Sequence, residues 1–316
     1  MPPEWSVERA APVHGTMNHM KIAVTGGSGF LGSALVPALL ADGHEVLRLV
    51  RRAPERPDEV RWDPSARVDE DGLRGVEAVI HLAGANVGGR RWTEAYRREI
   101  LTSRVEGTTT ISAAVARLQP PPRVLLSASA VGYYGDTGDR VVDETDGPGS
   151  GFLADVVRRW EEATAAAGAA GVRVVHLRSG VVLARTGGAL APVLPLFRLG
   201  LGGRIGSGRQ YVSWISLPDE VAAIRFLLSS PAISGPVNLT APGPVTNADY
   251  TKALGRALHR PTVLPVPARP LRLALDGLAD EALLAGQRVR PRVLTEAGFQ
   301  FAHLDIDAAL GAVVSV

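Results

Sequence analysis

The chain of 316 residues contains no cysteine. That excludes a disulfide framework, a thiolate nucleophile and any Cys-ligated metal centre. Lysine is almost as scarce: Lys21 and Lys252 are the only two, so nearly all of the 34 basic residues are arginine. With 32 acidic residues the net charge is +2, too little to draw the chain to nucleic acid or a membrane surface. No apolar run approaches the roughly 20 residues that cross a bilayer. The first 19 residues hold Pro, Glu and Arg but no signal-peptide core. They read as a disordered extension ahead of a natural start at Met20, and a cytoplasmic location is the simplest expectation. Partners are then small molecules or other subunits, with no nucleic acid and no membrane.

The chain is rich in apolar residues, at 46%, enough for a large core in one big or two moderate domains. Its most informative stretch runs from Lys21 to Gly32, KIAVTGGSGFLG. An apolar strand ends at Thr25, and Gly26 turns the chain sharply. Gly29 has no side chain to hold a pyrophosphate away from backbone N–H groups, and Gly32 lets the following helix pack closely. Gly26, Gly27, Ser28, Gly29, Phe30 and Leu31 therefore read as the phosphate cradle of a dinucleotide cofactor. An ordinary tight turn is the bland alternative.

Strand and helix patterns alternate beyond it. Strands are expected at 44–50, 60–63, 78–83, 123–127 and 172–177, and helices at 32–41, 93–118 and 152–167. This alternation predicts an α/β fold, a Rossmann-type doubly wound parallel sheet with a smaller C-terminal substrate lobe. We divide the chain into an NADP-binding domain over 20–185, with a returning segment near 212–240, and a mainly substrate-binding lobe over 186–316. Asp219 is expected to cap a helix running through Leu228, and Thr246 to Asp249 reads as another helix start.

The second strand closes on Arg51 and Arg52 rather than on an acidic residue. An acid there would bond a ribose 2′-hydroxyl and repel a 2′-phosphate, whereas guanidinium groups invite the phosphate. NADP(H) is the expected cofactor, and a solvated basic turn the alternative.

These features, with HLAGAN at 81–86, RWT at 91–93, Trp160-Glu161, RSGVVL at 178–183, GSGRQ at 206–210 and GQRVRP at 286–291, resemble the extended short-chain dehydrogenase/reductase superfamily. Within it the chain is most similar to the NAD(P)-dependent epimerase/dehydratase family, in an epimerase-like subfamily with a distinctive C-terminal domain. The resemblance implies hydride transfer between nicotinamide and a carbonyl or secondary alcohol, with nucleotide sugars among the substrates it suggests. It also brings Leu82, Ala83, Gly84, Glu99, Arg104 and Val182 to the cofactor, and implies a homodimer through helices on a sheet face, with oligomeric state otherwise open.

Catalysis departs from the family pattern. Typical members carry Tyr-xxx-Lys, in which lysine lowers the tyrosine pKa. Here the matching helix reads GFLADVVRRWE from Gly151 to Glu161, placing Leu153 and Val157 in those positions, and no lysine lies between Lys21 and Lys252. Ser129 still matches the usual Ser/Thr after the preceding strand. Ser129 orienting a substrate oxygen and Tyr133 moving the proton is one expectation; pocket-wall tyrosines beside a turn serine is the other. A non-catalytic NADP(H)-binding redox sensor or regulatory protein is the alternative function. His81 and His176 read as structural, without metal-ligand spacing, so no metal site is expected. Arg198, Arg204, Arg209, Gln210 and Trp214 are candidates for contacting an anionic or sugar-like substrate, and Arg290-Pro291-Arg292 is a weaker one.

Overall fold

The computed structural model describes residues 19–315; the proposed N-terminal extension lies almost wholly outside them. Eight strands form the main sheet: β1 (Lys21–Thr25), β2 (Glu45–Val50), β3 (Glu59–Asp63), β4 (Arg67–Val68), β5 (Ala78–His81), β6 (Val124–Ala130), β7 (Arg173–Ser179) and β8 (Gly235–Leu239). Their spatial order is β8-β7-β6-β5-β1-β2-β3-β4, parallel throughout except for the β3–β4 edge hairpin. The chain winds outward from β1 in both directions, which is the doubly wound α/β arrangement.

Period-2 alternation sorts the side chains onto two apolar faces. Ile22, Val24, Ala78, Ile80, Val124 and Leu126 point to one, against α1 (Phe30–Ala41) and the later helix 217–228. Ala23, Val79 and Leu125 point to the other, beneath α2 (Glu94–Arg117). Because both faces are covered, the strands read as continuous apolar runs, and that is why they were legible in the sequence.

The expected helix over 152–167 is two helices, α3 (Phe152–Glu162) and α4 (Ala165–Ala169). The Thr164 hydroxyl bonds the Glu161 carbonyl at the break. After β7 the chain forms α5 (Leu194–Arg198) and α6 (Leu217–Leu228). Ser216, not Asp219, caps α6: its hydroxyl accepts the Asp219 N–H, while the Asp219 carboxylate receives the N–H groups of Ala302 and His303. The Thr246 cap holds as expected at the start of α7 (Asn247–Leu258). A third apolar cluster unites Leu183, Leu190, Phe197, Trp214, Leu254 and Leu310 under the glycine-rich segment and α7. No described helix is long and apolar enough to cross a membrane.

Candidate functional site

The carboxyl ends of β1, β5, β6, β7 and β8 meet along one edge of the sheet, and the glycine turn lies on it. Gly26 adopts φ +69°, a conformation that favours glycine, and its N–Cα–C corner lies against the Leu82–Ala83 backbone. Thr25 holds that contact. Its buried hydroxyl receives the N–H groups of Leu82 and Ala83 and lies 2.7 Å from Nδ1 of His81. His81 also reaches Thr108 at 3.0 Å, and burial pushes its pKa down to about 4, so it is a neutral structural residue.

A Cβ on Gly32 would overlap the Gly26 carbonyl oxygen and come within 2.6 Å of the Gly27 Cα, so α1 abuts the turn backbone to backbone. A Cβ on Gly29 would meet only the Gly26 oxygen, at 3.2 Å, and otherwise point into open space. Gly29 is the N-cap of α1, which begins at Phe30, two residues earlier than its expected start. It supplies no side-chain cap, and the first turn carries no acidic residue. The starts of α2, α6 and α7, by contrast, are capped by the hydroxyls of Thr93, Ser216 and Thr246. The partial positive charge at the opening of α1 thus has neither a side-chain cap nor an acidic residue in its first turn. Phe30 extends beneath Gly187 and Gly188, where any side chain would press on its ring.

The two arginines at the end of β2 differ. Arg52 forks onto Glu59 with bonds of 2.6 and 2.8 Å, holding the Glu59 carboxyl down at about 2. Arg51 is exposed and has no ion-pair partner among the described residues. Arg104 packs its guanidinium 4.9 Å from the Trp160 ring and alongside Gly84; burial lowers its pKa to about 10. Glu99 lies 3.6 Å from Arg90 on the exposed side of α2. Val182 stands in a short strand parallel to 214–216, just beyond β7.

A buried polar network lies at the end of β6. Ser129 Oγ donates to Glu161 Oε1 at 2.6 Å, and Glu161 receives a two-pronged bond from Arg178, 2.8 Å on each prong. Arg178 also bonds the Tyr134 hydroxyl at 3.0 Å, which donates to Asn238 at 2.8 Å. Burial would lower the Arg178 pKa, but the Glu161 hydrogen bonds and charge overcome it and raise the value. Tyr134 is pushed up to about 12 by burial. The arginine therefore meets the hydroxyl of Tyr134, whereas it lies 3.5 Å over the face of the Tyr133 ring. Leu153 and Val157 face Gly132 in this same loop.

Glu161 and Arg178 escaped the sequence reading as site residues, because only the tertiary fold brings them together: strand register sets Arg178 on β7 directly beside Ser129 on β6, and Glu161 joins them from α3. His176 is satisfied by Thr164 at 2.9 Å, with Glu161 3.8 Å away. The substrate-contact reading of the 198–214 segment needs correction at three positions. Trp214 is fully buried and bonds the Gly243 carbonyl, Gln210 bonds the carbonyls of Ile205 and Leu283, and Arg204 staples the carbonyls of Gly206 and Ser207. These side chains build the loop. Arg292 likewise pairs with Glu296, and the Arg290 carbonyl receives Asn238.

Comparison with known proteins follows this geometry. The NAD dependent epimerase/dehydratase family matches residues 22–239, and a domain of unknown function, DUF1731, matches 266–313. An epimerase family protein of Mycobacterium bovis is 52% identical over 296 residues, covering 93% of this chain and 98% of that protein. The crystal structure of human epimerase family protein SDR39U1 with NADPH aligns with a TM-score of 0.85 at 34% identity, over 94% of this chain and 99% of that one. A nucleoside-diphosphate sugar epimerase from Corynebacterium glutamicum gives 0.78 at 36% identity, over 94% of this chain and 58% of that one.

Proposed function

The chain belongs to the NAD dependent epimerase/dehydratase family, and from that premise we propose that it is an NADP(H)-dependent oxidoreductase or epimerase acting on a carbonyl or secondary alcohol. The observation that carries this reading is the uncapped, acid-free start of α1 behind Gly29, with Gly32 pressing the helix onto the turn.

Gly26, Gly27, Ser28, Gly29, Phe30 and Leu31 would hold the diphosphate, Leu82 to Gly84 and Arg104 the adenosine side, and Val182 the far end. Arg51 would meet the 2′-phosphate, the more so because Arg52 is already engaged by Glu59. When bound, the cofactor supplies a hydride donor or acceptor. Ser129 keeps its proton directed at Glu161, leaving its oxygen lone pairs for a substrate hydroxyl. Tyr133 contributes the second hydroxyl of the loop, and Arg178 fixes its ring. In a family whose human member was crystallised with NADPH, NADP(H) is the cofactor we assign.

Arg51→Gln tests the assignment. NADPH affinity is expected to fall about tenfold or more, the worth of one charge-assisted phosphate contact, with NADH affinity unchanged. Equal loss for both nucleotides, or no binding of either by the wild type, overturns it.

A second reading, a non-catalytic NADP(H)-binding redox sensor or regulatory protein, is favoured by Leu153 and Val157 beside Gly132. A panel of aldehydes, ketones and nucleotide sugars, followed by NADPH absorbance, separates the two: turnover removes the sensor, and binding without any turnover favours it.

A further inference from the structure

Among the described arginines, Arg97 is set apart by a buried nitrogen that bonds to nothing. On α2, Arg98 pairs with Glu94 and Arg117 with Glu70; elsewhere, the part-buried Arg225 pairs with Asp42, and Arg173 bonds three carbonyls. Arg97 forms no ion pair among the described residues, and its buried Nε has no hydrogen-bond partner. Its guanidinium carbon lies 5.6 Å from the ring centres of both Trp92 and Phe152, which pack edge to face at 5.3 Å. A third side is Gly277, where any Cβ would overlap the guanidinium.

Two acids of the following segment are committed elsewhere. Asp280 pairs with Arg272, and Glu281 accepts the N–H groups of Phe152 and Leu153 at the start of α3. Asp276, next to Gly277, is exposed and holds φ +53° with ψ −140°, a backbone conformation that L side chains rarely adopt. Strain of that kind persists where the surroundings enforce it, and it clusters at ligand sites. Arg97 is itself half-buried, and a cation that leaves a buried donor unpaired is stabilised by an anion that joins it.

Its place on the helix gives the site a direction. Arg97, Ile100 and Arg104 follow an i, i+3, i+7 spacing and share one face of α2, with Arg97 and Arg104 about 10 Å apart along the axis. Arg104 stands beside Gly84 at the proposed cofactor stretch, and Arg97 stands at the junction with the C-terminal lobe. Phe152, against Arg97, immediately precedes Leu153, which faces the Ser129–Tyr133 loop.

We propose that Arg97, walled by Trp92, Phe152 and the Asp276–Leu278 turn, is the anion-receiving group of a substrate subsite, and that the substrate is a small oxyanion carried on an apolar body. The reading rests on the proposed function only in naming the anion a substrate; the subsite itself stands on Arg97 and its neighbours. Carboxylate and phosphate share the required chemistry, and the test separates them.

Calorimetric titration of the whole chain with benzoate, phenyl phosphate, inorganic phosphate and neutral benzyl alcohol is the experiment, repeated on Arg97→Gln and Arg97→Lys with NADPH titrated in parallel. Saturable binding of benzoate or phenyl phosphate is expected. It should weaken at least tenfold in Arg97→Gln and less in Arg97→Lys, while NADPH affinity stays within twofold. The tighter of the two aromatic anions names the oxyanion. The proposal is overturned if neither aromatic anion binds, if benzyl alcohol or inorganic phosphate binds as well, if Arg97→Gln binds as tightly as wild type, or if it loses NADPH affinity too, which would make Arg97 a structural strut. Anion binding by a wild type that ignores NADPH keeps the subsite and removes only the cofactor reading.

Discussion

Replacing Gly32 by alanine sets two physical effects of opposite sign against each other. Glycine inside a helix ordinarily costs about 0.5–1 kcal/mol relative to alanine, so the substitution should stabilise α1. At this position, however, the new Cβ would overlap the Gly26 carbonyl oxygen and lie 2.6 and 2.8 Å from the Gly27 Cα and carbonyl carbon. Backbone atoms cannot swing aside as a flexible side chain does, and overpacking of this kind costs about 1–3 kcal/mol. The overlap wins. Gly32→Ala should lower stability by about 1–2 kcal/mol and, by displacing the turn, weaken NADPH binding at least tenfold. Gly29→Ala is the control. Its backbone is extended (φ −78°, ψ −178°), and the added methyl meets one atom at 3.2 Å, so stability should fall by less than about 1 kcal/mol while NADPH binding still drops at least tenfold. Urea denaturation and NADPH fluorescence titration measure the two quantities. A Gly32→Ala protein as stable as the parent would refute the close approach, and a Gly29→Ala protein that binds NADPH normally would refute the position of the diphosphate.

Two further substitutions probe buried charge. Glu220 in α6 is wholly buried, receives only the Ser179 hydroxyl at 2.5 Å and leaves its second oxygen unpartnered; burial pushes its pKa up to about 8. Because the folded value lies above the unfolded one, its contribution to stability is complete below about pH 4.5 and is lost as pH rises towards 8 and beyond. Glu220→Gln should remove that slope, so its stability relative to the parent should climb by up to about 4 kcal/mol between pH 5 and 9; parallel curves in urea titrations at those pH values would sink the argument. Glu161→Gln leaves Arg178, 3% exposed, without its counter-charge and should cost about 3–5 kcal/mol, also read by urea; a loss below 1 kcal/mol would show that the network is not held by charge.

The fold was legible wherever local pattern decides it. The apolar runs of β1, β5 and β6 are buried on both faces, and the glycines at 26 and 32 each meet a backbone demand that no other residue meets as well. Caps were read only when side-chain chemistry was unambiguous: Thr246 was, but Asp219 resembled a cap and instead receives two N–H groups from residues more than eighty positions away. The candidate site was half legible. Ser129 and the tyrosine pair were visible, yet their partners Glu161, Arg178 and Asn238 lie on other elements, and no spacing along the chain encodes that meeting. The engagement of Arg52 by Glu59 was hidden for the same reason, since β3 brings the acid back beside β2.

Glu281 gives the C-terminal lobe a hold on the other half of the molecule. Its carboxylate caps the start of α3 from more than 120 positions downstream, so the helix bearing Leu153 and Val157 has no complete beginning of its own. Severing the chain ahead of the lobe would strip two amides of their acceptor and unseat the wall behind the Ser129 loop. The two halves are in this sense mutual scaffolds, and neither can evolve a new outline at that seam without the consent of the other.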